Sequence, residues 1–337
     1  MKEYRIGIIG CGYWGPNLIR NFFEMSCTEV VAVADLRQER LNAIHNSYPK
    51  IQVTKDYKEL FNMDLDAIVI ATPPKTHYKI ANECLEHGLH VMVEKPLTLS
   101  SADSRALCNL AEQKELTLMV GHTFVFNPAV QILKQMIESG ELGKIYYIDT
   151  ARLNLGLFQN GLNVIWDLAP HDISILLYLL GVDPITISAQ GDSFIIDGIH
   201  DVVYMNMEFP GKIMAHVHIS WLDPCKVRRV TVVGSKKMAV YNDLESVEKI
   251  KIYDKGVDAP QYTNSFDDFQ CSYRYGDILI PNIRLSEPLR LECQHFIESI
   301  DEHHKPRSSG EEGLRVVRIL EAAQQSLVNN AVEIQYA

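Results

Sequence analysis

Three ionisable side chains in this sequence have the types and spacing needed to move a proton. Lys95 lies between an apolar run and Pro96, where a solvated charge is not the default, and Asp167 precedes His171 by four residues. A histidine titrates near neutrality and suits a general base, and an ammonium stabilises the charge that develops on an alkoxide. We therefore predict that His171 and Lys95 act on a hydroxyl group during oxidation of a secondary alcohol. The alternatives are a solvated Lys95 and a core or capping His171.

The role of Asp167 depends on a helix. Proline is tolerated in the first turn of a helix, so Pro170 predicts a helix that begins close to Asp167 and runs to Leu180, before Gly181. Residues four apart then share a face. Asp167 is predicted to bind a neighbouring hydroxyl or to orient the imidazole of His171, and it is equally a candidate N-cap.

A glycine-rich turn near the start of the sequence has the pattern of a site for a dinucleotide, the group that would accept a hydride. Residues 8–15 read Ile-Ile-Gly-Cys-Gly-Tyr-Trp-Gly at the exit of the first apolar run. Its glycines allow a tight turn and let backbone N–H groups approach a pyrophosphate at a helix N-terminus. Asp35, twenty residues after the last glycine, is placed to bind the adenosine ribose. The predicted cofactor is NAD, because a carboxylate repels the 2′-phosphate of NADP, although Arg37 softens this preference. The predicted contacts in this turn are Gly10, Gly12, Tyr13, Trp14 and Gly15; Tyr13 and Trp14 cover the cofactor or pack on the first helix.

The order of apolar runs predicts two domains. Short apolar runs, each followed by a helix-like stretch, predict a doubly wound α/β Rossmann domain with a parallel sheet over residues 1–122. Strand-like runs with hairpin-length connections then predominate from Lys144 to about Tyr253. They predict an α+β domain over residues 123–337, with an open, largely antiparallel sheet for substrate binding and oligomerisation.

The C-terminal part of the second domain is predicted to be less regular. Residues 254–284 are polar and aromatic-rich and are predicted to form a long loop. Two helices, 289–303 and 311–329, close the chain, and the prediction allows them to pack back on the first domain.

Composition excludes several classes of partner. The net charge is −11 and no Lys/Arg cluster is present, which argues against nucleic acid and an anionic membrane surface. No stretch reads as a secretory leader or a transmembrane helix. The seven cysteines are scattered without a C-x-x-C pair, so we expect reduced thiols in a cytoplasmic protein. No metal site is predicted, since His216 and His218 share a strand face but lack an evident third ligand.

Taken together, these motifs resemble the glucose–fructose oxidoreductase / inositol dehydrogenase / rhizopine-catabolism (Gfo/Idh/MocA) oxidoreductases. The resemblance spans nearly the whole chain, and the combination of its motifs is highly specific. The runs that carry it, besides the glycine turn, are Ala71-Thr72-Pro73-Pro74 with His77, Glu94-Lys95-Pro96, Gly121-His122 with Asn127-Pro128, Asp167-Leu168-Ala169-Pro170-His171-Asp172, Glu292 and Gly313-Leu314-Arg315-Val316-Val317.

The resemblance implies roles for further residues. Thr72, Pro73 and His77 would lie on a loop that contacts the cofactor, and Glu94-Lys95-Pro96 would end a strand beside the nicotinamide, often with a cis bond before the proline. The expected substrate contacts are His122, Asn127, Arg152 and Trp166. Position 122 is His where many relatives carry Tyr, and residues 160–166 lack the glycine-rich run common in the family, so the identity of the substrate stays open.

Three functions compete at this point. The short motif runs quoted above look most like those of enzymes that oxidise the 3-hydroxyl of UDP-linked N-acetylhexosamines or their acids. The second interpretation is a dehydrogenase of inositol or a free monosaccharide, which would not need basic residues for a diphosphate; the candidates for that contact are Lys226, Arg228, Arg229 and Arg152. The third is a dinucleotide-sensing regulator without turnover, against which intact Lys95, Asp167 and His171 argue.

The resemblance also implies oligomers formed through the outer face of the sheet. One set of alternating strand positions is apolar, and the opposite set still carries Val202, Tyr204 and Met214. A fully solvated face does not need these residues, so we predict a homodimer or homotetramer packed sheet to sheet.

Overall fold

The computed structural model describes residues 3–156, 158, 161–258, 271–284 and 286–336. It divides into two compact units, unit 1 with Met1–Phe126 and Ser286–Glu321, and unit 2 with Asn127–Leu285 and Ala322–Ala337. The predicted domain boundary after residue 122 assigns the C-terminal helices to the second domain. In the structure, residues 286–321 belong to unit 1. Among the described residues, no helix is long and apolar enough to cross a membrane.

Helices and strands alternate in the N-terminal part of the chain, and strands predominate later. The strands in the described residues are β1 (Tyr4–Ile9), β2 (Thr28–Ala34), β3 (Gln52–Thr54), β4 (Ala67–Ile70), β5 (His90–Glu94), β6 (Leu118–Gly121), β7 (Ile145–Leu155), β8 (Thr186–Asp192), β9 (Val202–Phe209), β10 (Ile213–Ser220), β11 (Leu222–Gly234), β12 (Met238–Asn242), β13 (Ile250–Asp258), β14 (Ser272–Leu279) and β15 (Ile334–Gln335). The α-helices there are α1 (Gly15–Phe23), α2 (Gln38–Ser47), α3 (His77–Glu86), α4 (Ser101–Gln113), α5 (Pro128–Glu138), α6 (Val164–Leu180), α7 (Pro288–Asp301) and α8 (Gly310–Val328).

Unit 1 is built on a six-stranded parallel sheet in the order β3-β2-β1-β4-β5-β6. Its central strands are nearly continuous apolar runs; all four residues of β4 are buried, as expected for a sheet covered on both faces. The strand order reverses at β1, and ligands of such sheets bind outside the carboxyl ends of the strands at this point. The Rossmann prediction is confirmed.

Unit 2 contains a nine-stranded sheet in the order β14-β13-β12-β11-β7-β10-β9-β8-β15. Its neighbouring strands are antiparallel apart from β7 and β10, which run parallel. The prediction of a largely antiparallel sheet is confirmed. One face is buried, with α6 packed against β10, while Tyr204 and Met214 on the opposite face are exposed.

Two local predictions were wrong. Helix α6 begins at Val164, because the side chain of Asn163 caps it by accepting a hydrogen bond from the backbone N–H of Trp166. Pro170 therefore lies inside the helix, where its missing N–H leaves the carbonyl of Trp166 without the usual helical donor. The predicted loop over 254–284 contains the end of β13 and all of β14; residues 259–270 lie outside the described part. The mostly exposed β14 lacks the apolar alternation that reveals a strand.

Candidate active site

The glycine turn after β1 forms an open backbone cradle at the N-terminus of α1. Gly10 has φ of +102°, and a Cβ there would lie 2.6 Å from the carbonyl oxygen of Ala71. A Cβ on Gly15 would collide with the carbonyl oxygen of Gly10. At Gly12, in contrast, the one neighbour within 4 Å of a Cβ among the described residues is the end of the Arg40 side chain, at 3.7 Å. Because the space over Gly12 is open, a dinucleotide pyrophosphate fits against this backbone.

Tyr13 and Trp14 flank this cradle. Tyr13 is 87% exposed and Trp14 is 39% exposed, and their rings meet edge to face at 5.8 Å. Trp14 also precedes α1, and its carbonyl accepts the N–H of Leu18 at 3.1 Å. Neither ring is committed to the core, so both remain available to cover a bound dinucleotide.

Asp35 follows β2 and is tied to the glycine turn. Its Oδ2 accepts the N–H of Cys11 at 2.7 Å, and its Oδ1 accepts the N–H of Arg37 at 2.8 Å. The guanidinium of Arg40 lies 3.4 Å from the same carboxylate, whose side chain is 8% exposed. The acid is thus fixed beside the cradle, as binding of an adenosine ribose requires. Arg40 was missed at the sequence level, because only the α2 helix brings it back to Asp35.

The loops after β4 and β5 carry the other predicted cofactor contacts of unit 1. Thr72 and Pro73 precede a short 3₁₀ turn, Pro74–Thr76, and the hydroxyl of Thr76 bonds to that of Thr72 at 2.7 Å. His77 begins α3 and is fully buried, with both ring nitrogens 2.8 Å from backbone carbonyl oxygens. Its predicted influence on the cofactor would therefore act through this loop.

Glu94 is the last residue of β5, and Lys95 and Pro96 follow it. The Lys95–Pro96 peptide bond is cis, and the N–H of Lys95 lies 3.3 Å from Oε2 of Glu94. Burial raises the pKa of Glu94 to about 7, against the lowering effect of the Lys95 charge. This places an ammonium and a carboxyl group together at the edge of the sheet that also holds the glycine turn.

His122 follows β6 and is almost fully buried. Burial, and secondly the charge of Lys95, lowers its pKa to about 3, so the ring is neutral. Neither ring nitrogen has a hydrogen-bond partner among the described residues. An imidazole of this kind contributes a neutral donor and acceptor rather than a charge.

Helix α6 carries the predicted catalytic pair of unit 2. Asp167 and His171 lie one turn apart on it, and Oδ2 of Asp167 accepts the indole N–H of Trp221 at 3.1 Å. Trp166, the predicted substrate contact beside them, is partly exposed. The hydrogen bond from Trp221 was not visible in the sequence, because the two residues are far apart along the chain.

The other predicted substrate contacts of unit 2 are committed to protein partners. The buried guanidinium of Arg152 bonds to Asp172 through Nε at 2.5 Å. Asn127 caps α5 by accepting the N–H of Ala129 at 3.0 Å, and its amide donates to the hydroxyl of Tyr241 at 2.9 Å. These contacts favour positioning roles over direct substrate contact.

The basic residues considered for a diphosphate fall into two groups. Arg228 is paired with Asp243 at 3.2 Å. Lys226 and Arg229 are exposed on β11. Lys226 is the better candidate for an anionic group, because its side chain would not have to be withdrawn from burial. Arg229 pairs with Ala151, which also pairs with His218, so Arg229 lies on the same face of the sheet as Tyr204.

Comparison with protein families matches both parts of the chain. The family model described as an oxidoreductase family with an NAD-binding Rossmann fold matches residues 4–122. The model of the GFO/IDH/MocA C-terminal domain matches residues 130–240.

Individual relatives act on different substrates. UDP-N-acetylglucosamine 3-dehydrogenase of Acidithiobacillus ferrooxidans is 28% identical over 58% of this chain and 61% of its own length. The NAD⁺-dependent scyllo-inositol 2-dehydrogenase of Bacillus subtilis is 27% identical over 88% of this chain and 86% of its own. The solved structure of the Acidithiobacillus enzyme, at 23% identity, covers 97% of this chain and 98% of that one with a TM-score of 0.80. That structure shares the fold.

Proposed function

The chain belongs to the GFO/IDH/MocA family of NAD-binding oxidoreductases, and we propose that it oxidises the 3-hydroxyl of a UDP-linked N-acetylhexose or a close derivative. The observation that carries this proposal is that one chain holds a complete dinucleotide cradle, fixed by Asp35, in unit 1 and, in unit 2, Asp167 and His171 one turn apart on α6. Such a set serves removal of a hydride and a proton from one alcohol carbon.

In the proposed reaction, bound NAD supplies the acceptor for the hydride. His171 takes the hydroxyl proton, and the Lys95 ammonium stabilises the oxygen as charge develops on it. Asp167, held by the indole of Trp221, fixes a neighbouring sugar hydroxyl or the imidazole of His171. The neutral His122 adds hydrogen-bonding capacity without a charge that would compete with Lys95.

Two observations support a nucleotide-linked sugar. The relative that oxidises UDP-N-acetylglucosamine is among the curated proteins that resemble this chain. Lys226 is exposed and suited to a diphosphate. The second candidate is an inositol or free monosaccharide, favoured by the fuller coverage of the scyllo-inositol enzyme. A regulator without turnover is not retained, since the family and these relatives are dehydrogenases.

The test is NAD reduction with a panel of UDP- and dTDP-hexoses, inositols and free sugars. We expect the largest kcat/KM for a UDP-N-acetylhexose, with a product that has lost two hydrogens by mass spectrometry. UDP alone and the free N-acetylhexose are the controls. Higher kcat/KM for an inositol would reject the nucleotide-sugar proposal in favour of the second candidate.

We further propose that the chain assembles through the exposed face of the unit 2 sheet. Met214 is 61% exposed and Tyr204 is 43% exposed on that face. The ring of Tyr204 stacks on His218 at 4.3 Å, so the face presents flat, partly apolar surface. A homodimer or homotetramer would cover it.

A further inference from the structure

A second carboxyl group lies buried in unit 1 near Glu94. Glu292, on α7, has no exposed surface, and its Oε2 accepts a hydrogen bond from the hydroxyl of Thr123 at 2.8 Å. Its Oε1 is also buried and has no hydrogen-bond partner among the described residues. An ionised carboxylate with one oxygen left bare in this way is costly.

Glu94 occupies space that the facing strand leaves for it. Gly121 is its register partner on β6, and a Cβ there would lie 3.1 Å from both Cδ and Oε2 of Glu94. The backbone N–H of Lys95 approaches the same oxygen. Glu94 thus has a nearby donor and a nearby cation, whereas Glu292 has the single hydroxyl of Thr123.

The charges around the two carboxyl groups are unbalanced. The charge of Lys95 lowers the pKa of Glu94. Burial and both glutamates raise the pKa of the Cys293 thiol well above its usual value. Helix α1 also packs on α7, but its Arg20 is bonded to Glu287. The Lys95 ammonium therefore acts on Glu94, whereas among the described residues the hydroxyl of Thr123 is what opposes a rise in the pKa of Glu292. Burial, followed by the charge of Glu94, also raises the pKa of Glu292 well above its usual value.

We propose that Glu292 is a positioning residue that stays protonated, so that Glu94 alone provides a carboxylate beside Lys95. The inference rests on the proposed function for the role of Lys95. A second negative charge at Glu292 would repel the charge of Glu94 and would leave an unpaired buried charge. When Glu292 is neutral, the Glu94 carboxylate alone balances the Lys95 ammonium. Oε2 of Glu292 also holds Thr123, in the segment that follows His122, by accepting its hydroxyl hydrogen bond.

The protonation itself is tested without substrate, by infrared difference spectroscopy of the full chain at about pH 9. At this pH Glu94 is ionised, and we expect a carbonyl band of a neutral carboxylic acid that shifts in D₂O. The band should vanish in Glu292→Gln and persist in Glu94→Gln. A parent protein without such a band, or a band that survives in Glu292→Gln, would reject the proposal whatever the substrate is.

The positioning role is tested by the pH dependence of kcat with the substrate found in the panel. Glu292→Gln copies the neutral acid, so the midpoint of the alkaline limb should stay where it is in the parent. Glu94→Gln removes the carboxylate beside Lys95 and should move that midpoint down by about 1–3 pH units. Glu292→Leu, which cannot accept from Thr123, should lower kcat, and the Gln variant should retain most of it.

The outcomes separate this inference from the proposed function. A shift in Glu292→Gln as large as that in Glu94→Gln would mean that Glu292 is ionised, and the inference fails. If Lys95→Met retains full turnover, the proposed role of Lys95 fails, while the infrared band still decides the protonation of Glu292. Circular dichroism of each variant separates both results from unfolding.

Discussion

The Nδ1 atom of the His77 imidazole lies 2.8 Å from the carbonyl oxygen of Pro96. On its other side, Nε2 lies 2.8 Å from the carbonyl oxygen of Thr72. The ring therefore joins the loop after β4 to the residue that follows Lys95, and it does so with no exposed surface. Burial is the main cause that lowers the pKa of His77, so the neutral ring donates to one carbonyl at a time.

Replacing His77 with Phe should separate the two loops while keeping much of the ring volume. Because small displacements of catalytic groups cost as much as 100-fold in rate, we expect kcat to fall by about 10- to 100-fold and NADH to bind several-fold more weakly. Steady-state kinetics and NADH fluorescence titration measure the two effects. The control is His45→Phe, at an exposed position on α2. Unchanged kcat and NADH affinity in His77→Phe would show that the bridge has no part in the reaction.

Asp35→Ser should narrow the preference for NAD over NADP. Serine removes the charge that repels a 2′-phosphate, and it also loses acceptors for the N–H groups of Cys11 and Arg37. A hydrogen bond to a charged group contributes about 1.5–3 kcal/mol, so NAD should bind about 10- to 100-fold more weakly. Titration with NADH and NADPH checks this, with Glu39→Gln on α2 as the matched acid control. Tighter binding of NADP than of NAD by the parent would contradict the assignment of Asp35.

The sequence predicted the elements of unit 1 well because its signals are local. The apolar run from His90 to Glu94 matches β5, and the glycine turn specifies its own geometry through Gly10. The three-residue β3 was missed, since a strand so short has no measurable period. In unit 2, the start of α6 predicted from Pro170 was wrong, because the capping side chain of Asn163 determines where the helix begins.

The partners of the candidate site residues were harder to predict than the residues themselves. Arg152 was expected to meet substrate, yet its charge is matched by Asp172, twenty residues later along the chain. Similarly, Thr123 and Glu292 are joined across 169 residues of sequence. Such pairs depend on tertiary packing, and a single sequence carries no local pattern that reports them.

Stability at acid pH should depend on His295. Its Nε2 accepts the N–H of Arg307 at 2.9 Å, so protonation at this atom breaks the bond. Burial, and then the charge of Arg307, lowers the pKa of His295 from 6.5 to about 4. The unfolded chain therefore binds the proton first, and the stability that neutral His295 contributes above pH 6.5 is lost as the pH falls toward 4.

His295→Gln retains an acceptor for Arg307 but does not titrate. We expect the free energy of unfolding to fall less between pH 7 and about 4 in this variant than in the parent, by about 2 kcal/mol. Urea denaturation at both pH values measures the difference. His45→Gln, at an exposed position, serves as the control. An equal loss of stability in His295→Gln and the parent would exclude His295 as the source.

Assembly through the sheet of unit 2 should be sensitive to charge at Met214. Met214→Glu places a carboxylate on the proposed interface, where its burial is unfavourable, and should shift the mass toward the monomer. Light scattering at micromolar concentration measures this. Val328→Glu is a matched control, since Val328 is 63% exposed and Met214 is 61% exposed. A monomeric parent under these conditions would rule out the predicted dimer or tetramer.

Turnover should depend on His171 and Lys95 far more than cofactor binding does. His171→Asn keeps a hydrogen bond but cannot take a proton near neutrality, and Lys95→Met keeps the stem and removes the charge. Loss of a general base typically costs about 10²- to 10⁴-fold in rate. Each variant should still bind NADH, since the predicted pyrophosphate and ribose contacts lie at the glycine turn and Asp35. Steady-state oxidation of the sugar and NADH fluorescence titration are measured side by side, and near-normal turnover in His171→Asn would leave Lys95 as the first candidate for the base.

Asp167→Asn distinguishes the two roles open to this carboxylate. The amide keeps an oxygen that can accept the indole N–H of Trp221, so the local packing that this bond supports is preserved. If Asp167 holds a sugar hydroxyl, KM should rise while kcat changes little, because the contact exists before and during the reaction. If Asp167 instead orients His171, kcat should fall by a factor close to that of His171→Asn, and the double variant should be no slower than His171→Asn alone. Steady-state kinetics of the two single variants and the double variant decide between these roles. Unchanged kcat and KM in Asp167→Asn would show that the charge of Asp167 is needed for neither role.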